Sequence, residues 1–155
     1  MAEKELVGSW LTFDELGVRR LHDLLKLRQD VFVVEQECAF PEIDGKDPDA
    51  WHFLLVDQDS GDVAGALRVF LPVTETKAGS RIGRVVTAGG YRGLGLGKQL
   101  MEAGIAKCME NAPGAAIHLS AQAHLEDFYA SFGFERVSDN YLEDGILHLD
   151  MVRAA

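Results

Sequence analysis

The stretch GRVVTAGGYRGLGLGKQLMEAG, residues 83–104, constrains the fold more than any other part of the chain. Its first residues read as a strand, its last place apolar side chains at helical spacing, and a glycine-rich turn joins the two. A strand that passes directly into a helix through glycine presents free backbone N–H groups at the positive end of the helix dipole. Gly93, Gly95 and Gly97 let a ligand approach that backbone with no Cβ in the way. The charge pattern agrees. The chain carries 25 acidic and 15 basic residues, yet no Asp or Glu falls between Thr76 and Met101, where Lys77, Arg81, Arg84, Arg92 and Lys98 stand. An anion is expected to dock there.

That anion has to be held locally. A formal net charge of −10 sets the field of the whole molecule against nucleic acid and anionic membrane surfaces. A chain of 155 residues with 47% hydrophobic composition supports one globular domain, residues 1–155, with a sizeable core. No linker, repeat or low-complexity tract divides it. No apolar run is long enough to span a bilayer. Two cysteines, Cys38 and Cys108, and an amino end (MAEKELVGSW) without a basic and apolar leader give a cytoplasmic expectation with both thiols reduced.

Helix and strand patterns interleave along the chain. LVGSWLTF reads as a strand, and Thr12 followed by Glu15 suits a capping box opening a helix that extends through Arg28, Val31 and Phe32. An acidic loop, EQECAFPEIDGKDPDA, follows. WHFLLVD and DVAGALRVFL flank a Gln58-Asp59-Ser60-Gly61 turn as a hairpin, and RIGRVVT forms the next strand. Leu96, Leu100, Met101, Ile105 and Cys108 mark a helix stopped near Asn111, Pro113 and Gly114. AIHLSA is a strand, HLEDFYASF a short helix ended by Gly133, and FERV and ILHLDMV the closing strands. The expected class is α+β, a mixed sheet with helices packed on it.

Spacing separates three phosphate-binding readings of the glycine loop. A Walker A loop needs one more residue than separates Gly93 from Gly97, and Gln99 follows Lys98 where a hydroxyl should hold magnesium. A dinucleotide fingerprint belongs early in a βαβ unit and has a different final spacing. The third is R-x-x-G-x-G after a strand, met as Arg92-Gly93-Leu94-Gly95-Leu96-Gly97, whose amides grip the pyrophosphate of coenzyme A. In this motif, and in the order of LLKLRQDVFVVEQECAFPEIDG, IGRVV, AQAHLEDFYASFGF and EDGILHLDM around it, the chain resembles the GNAT acetyltransferase superfamily, and more narrowly the ElaA family, over nearly its whole length.

The resemblance implies a mostly antiparallel sheet splayed open in the middle, with the thioester arm of acetyl-CoA entering beside residues 81–87. It implies backbone contacts to the pantetheine arm from Val85, Val86 and Thr87, and a pyrophosphate cradle of Arg92, Gly93, Leu94, Gly95, Leu96, Gly97 and Lys98. Gln122 stands where many relatives have an Asn touching the cofactor, and Tyr129 where a tyrosine often protonates the departing thiolate. The loop departs from the common V-x-P-x-x-R-G pattern, with Thr87 for the apolar residue and Gly89 for proline.

Acyl transfer to an amine needs a neutral nucleophile, a polarised carbonyl and a proton for sulfur. Tyr129 suits the last role, or it packs among Phe128 and Phe132 at ordinary helical spacing. Glu35 suits the base if Phe32, Val33 and Val34 desolvate it and raise its pKa, or it is a surface carboxylate. His52 and His124 are further candidates, as is water. His118 and His148 lie within strand patterns, where histidine is more often a sheet residue than a catalyst. No His and Cys pair has metal-ligand spacing, and no metal is expected. Glu35, Glu37, Glu42, Asp44, Asp47 and Asp49 crowd one segment, either as an acidic rim for a cationic amine or as a solvated loop. The expected reaction is direct transfer from acetyl-CoA to a small-molecule or peptide amine by a monomer or homodimer; the alternative is a non-catalytic acyl-CoA-binding module.

Overall fold

A computed structural model describes residues 5–72 and 79–155; Lys77 of the basic run lies outside them. The first strand, β1 (Leu6–Thr12), ends in the capping box that its sequence predicts. The Glu15 N–H donates to the Thr12 hydroxyl at 3.3 Å, and the Thr12 N–H donates to the Glu15 carboxylate at 2.9 Å. This opens α1 (Phe13–Arg28), which Gly17 kinks after the first turn by taking φ 74°. Beyond Arg28 the winding loosens into a π-helical segment, Gln29–Glu35. The apolar face expected through Phe32 continues, but not as an α-helix.

The remaining elements are β2 (Trp51–Asp57), β3 (Val63–Phe70), β4 (Ser80–Thr87), α2 (Leu96–Asn111), β5 (Ile117–Gln122), α3 (Glu126–Ala130), β6 (Glu135–Arg136), β7 (Tyr141–Glu143) and β8 (Ile146–Arg153). They form one sheet in the order β1-β2-β3-β4-β5-β8-β6, with β7 paired to β8. All the described pairings are antiparallel except β4 with β5, so the sheet is mixed and mostly antiparallel as expected. β7 was not expected. Its turn into β8, Asp144-Gly145 with φ of 50° and 80°, is the Asp-Gly chemistry that tight hairpins use.

The near-continuous apolar run of β3 follows from burial on both faces. Leu16, Leu24 and Leu27 of α1 cover one side, against Leu54, Val63, Ala66 and Val86. Leu100, Met101 and Cys108 of α2 cover the other, against Phe53, Leu55, Leu67 and Val69. Gly104 lets α2 sit close to the sheet, since a Cβ there would lie 3.1 Å from Ile82 and 3.2 Å from Leu67.

Two irregularities shape the middle of the sheet. Arg84 takes φ 51°, and the register of β4 against β3 shifts between Ala66 and Arg68, a bulge that re-aims the strand. β4 then meets β5 only through Ser80 with Ile117 and Arg81 with His118. Past that short join the strands diverge. Among the described residues no helix is long and apolar enough to cross a membrane.

Candidate active site

The divergence of β4 from β5 opens a cleft of about 490 Å³. Val85, Val86, Thr87, Arg92, Gln122 and Tyr129 line it. A smaller recess of about 310 Å³ adjoins it through Thr87 and Arg92, lined by Gly93, Gly95, Leu96, Gly97 and Lys98. The structure thus brings together most of the residues that the sequence assigned to the cosubstrate and to Tyr129's role. Leu94 is exposed and lines neither space, and Glu35 also lines neither.

The recess has the chemistry of an anion site. Gly95 caps α2 in the left-handed conformation, φ 75°, with no side chain closing the helix start and no acid in its first turn. The first N–H groups of α2 are therefore left to an incoming anion. A Cβ at Gly93 or Gly95 would meet nothing within 4 Å, so the glycines serve the turn's positive φ and leave the space beside it open. The Val86 side chain is buried under α1, which leaves its backbone as the part facing the cleft.

Tyr129 projects from α3. Its ring packs edge-on against Phe128 at 5.1 Å and Phe134 at 6.5 Å; Phe132 contacts Phe128 instead. Burial alone pushes its phenol up to about 12, because the charged form is poorly solvated there. Gln122 reaches across the cleft, its side-chain N–H₂ donating to Gln36 at 3.2 Å.

Glu35 corrects an expectation. Its side chain is 44% exposed, and the Arg92 guanidinium grips it with two hydrogen bonds. Arg92 holds its carboxyl below the usual range, the opposite of the raised value that a desolvated base needs. Phe32, Val33 and Val34 do not enclose it.

The acidic rim is corrected too. Arg28 donates to Glu42 and Asp47 at 2.8 Å each, Arg68 to Asp44 at 2.6 Å and to Asp47 at 3.0 Å, and Arg84 to Glu42 at 2.8 Å. Three guanidinium groups thereby neutralise three of the carboxylates counted as rim charge. Arg68 and its neighbours hold Asp44 well below the ordinary carboxylate range. Sequence separation hid this lattice, since its members lie on α1, the following loop, β3 and β4.

The histidines sort by position. His52 is buried with Nε2 2.9 Å from the Asp47 carbonyl, and burial pushes its pKa down. His124 is exposed and lines neither space, as is true of His22, while His118 lies outside both linings. His148 lies on strand β8 as its sequence pattern predicts, and it lines the cleft. The Asp144-Gly145 turn pairs β8 with β7 at this edge of the cleft. Cys38 donates from Sγ to the Asp144 carbonyl at 3.1 Å, tying the acidic loop to the β7–β8 turn, and burial pushes the Cys108 thiol up. Among the described residues no three His, Cys, Asp or Glu side chains are grouped to hold a metal ion.

Comparison with known proteins gives this geometry a family. Residues 34–155 match the family described as Acetyltransferase (GNAT) domain. ElaA of Escherichia coli is 38% identical over 143 residues, spanning 92% of this chain and 93% of ElaA. The crystal structure of an acyl-CoA N-acyltransferase from Pseudomonas aeruginosa is 39% identical and superposes with a TM-score of 0.90 over 97% of this chain and 100% of its own. The crystal structure of Escherichia coli ElaA superposes with a TM-score of 0.88 over 96% of this chain and 99% of its own. The split sheet is thus shared with an acyl-CoA N-acyltransferase, and the chain belongs to the GNAT acetyltransferase family as a relative of ElaA.

Proposed function

We propose that residues 1–155 form one catalytic domain that moves an acetyl group from acetyl-CoA to a primary amine by direct attack on the thioester. The observation that carries this reading is the position of Tyr129, whose phenol sits in the same cleft that opens onto the glycine recess. The residues fit the cosubstrate. Arg92, Gly93, Gly95, Leu96, Gly97 and Lys98 supply cations and free N–H groups for a pyrophosphate, with Leu94 contributing backbone only. Val85, Val86 and Thr87 offer strand-like backbone hydrogen bonds to a pantetheine arm, since β4 has left β5 by that point.

Bound acetyl-CoA supplies the activated acyl group. Tyr129 keeps its proton throughout the neutral range and can deliver it to the departing sulfur. A backbone N–H of β4 near Val86 polarises the carbonyl. Neither thiol supports a covalent intermediate, because Cys108 is buried with a raised pKa and Cys38 is engaged with a carbonyl. The neutralised lattice removes the argument for a polycationic acceptor, and the amine is a small molecule or a peptide.

The test is thiol release from acetyl-CoA across a panel of amino acids, polyamines and peptides, with CoA binding measured in parallel. Turnover on one class is expected. Tyr129→Phe lowers kcat by about 100-fold and leaves CoA affinity within about threefold. Tight CoA binding with no turnover on any amine would instead favour an acyl-CoA-binding module.

A further inference from the structure

The proposed transfer leaves one role unassigned, the group that takes a proton from the incoming ammonium. Glu35 is held by Arg92 away from the cleft, and His52 is locked inside the ionic lattice. From the geometry of β8 we infer that His148 is the general base, acting through Nε2. This inference rests on the acyl-transfer reading above.

The strand fixes the residue first. His148 pairs with Gln122 of β5 on one side and with Tyr141 of β7 on the other, so its backbone is held from both edges. Directly paired residues of antiparallel strands project to the same face, which puts the imidazole beside the Gln122 amide on the cleft wall. Its side chain is 14% exposed, enough to reach an acceptor and little enough to be held in place.

The ring's chemistry is fixed next. Nδ1 lies 2.8 Å from the Ile146 carbonyl, an oxygen that can only accept, so Nδ1 carries the proton. In the neutral ring Nε2 then holds a free lone pair. Tyr141 stacks on the imidazole with ring centroids 6.2 Å apart and 24° between planes. That tyrosine is itself pinned, its hydroxyl donating to Asp150 at 2.6 Å, and Ser120 donates to the same oxygen at 3.1 Å. A Glu143 oxygen lies 3.7 Å from Nε2. A ring on the cleft wall with Nδ1 engaged leaves Nε2 to accept a proton from an amine there.

The proton balance closes. The ammonium gives one proton to Nε2 and becomes the nucleophile. Its nitrogen forms the N–C bond as the C–S bond breaks, and sulfur takes the Tyr129 proton. Of the two protons the nitrogen loses, one leaves through His148 to water and the other restores Tyr129.

The test combines kinetics with a direct view of the ring. His148→Gln is expected to lower kcat by about 100-fold or more, with CoA affinity and melting temperature unchanged. Added imidazole is expected to restore part of the activity of His148→Ala. Nitrogen-15 spectra of the wild-type protein are expected to show the Nδ1–H form of His148. Near-wild-type turnover in His148→Gln, while the wild type is active, would overturn the assignment and leave the transfer reading intact. An Nε2–H form in the spectra, or a loss that imidazole does not restore, would also overturn it. A wild type that binds CoA but acetylates no amine would overturn both readings together.

Discussion

Glu35 and Arg92 meet across 57 positions of sequence, and their pairing changes the meaning of both. Arg92 belongs to the recess where a pyrophosphate is expected, so the carboxylate occupies a cation that the cosubstrate would use. Glu35→Gln is therefore expected to tighten CoA binding by about two- to fivefold, the range of an exposed pair. It should leave kcat unchanged. Calorimetric titration with steady-state kinetics checks both, and a large fall in kcat would return Glu35 to the base role. Arg92 was legible in the sequence because its neighbours form a motif. Glu35's partner was not, because nothing local to VFVVEQE encodes a contact 57 positions away. The strand of His148 was legible but its place on the cleft wall was not, since alternation in ILHLDM reports a strand and not which wall that strand completes.

Among the elements, the junction of α1 with its π-helical continuation bears the heaviest electrostatic load. Arg28, 1% exposed, is the last residue of α1 and binds both Glu42 and Asp47. Removing one partner of a buried ionic group costs about 3–5 kcal/mol. The lower end applies here, because Arg84 still reaches Glu42 and Arg68 still reaches Asp47. Arg28→Ala is expected to lose about 3 kcal/mol, a fall in melting temperature of about 6–12 °C. Differential scanning calorimetry decides it. Elements with a local signal, such as the Thr12–Glu15 box and the 51–70 hairpin, could be read from sequence. The widened turn of Gln29–Glu35 could not, because its apolar spacing fits an α-helix as well.

At the scale of the molecule, acid tolerance follows from the same lattice. Asp44 and Asp47 have folded-state pKa values lowered by their arginines, so their stabilisation is complete above the unfolded value, near ~4, and is lost as pH falls below it. Melting temperature is expected to hold from pH 7 to about 5 and then to decline, with Asp44→Asn flattening the decline. Thermal scans against pH test this. The mixed sheet was legible from the order of patterns and from family resemblance, whereas the acidic run from Glu35 to Asp49 did not reveal that Glu42, Asp44 and Asp47 are paired with arginines. Composition counts charges and is silent on which of them cancel. The short join between β4 and β5 also has a mechanical side. β1 lies at one edge of the sheet and β8 beyond the split, so tension applied to the two ends loads the seam at Ser80 and Arg81. Two backbone pairs join the strands there, so resistance along the seam falls to the side chains packed behind it, and a ligand lying in the split would tie its two walls together.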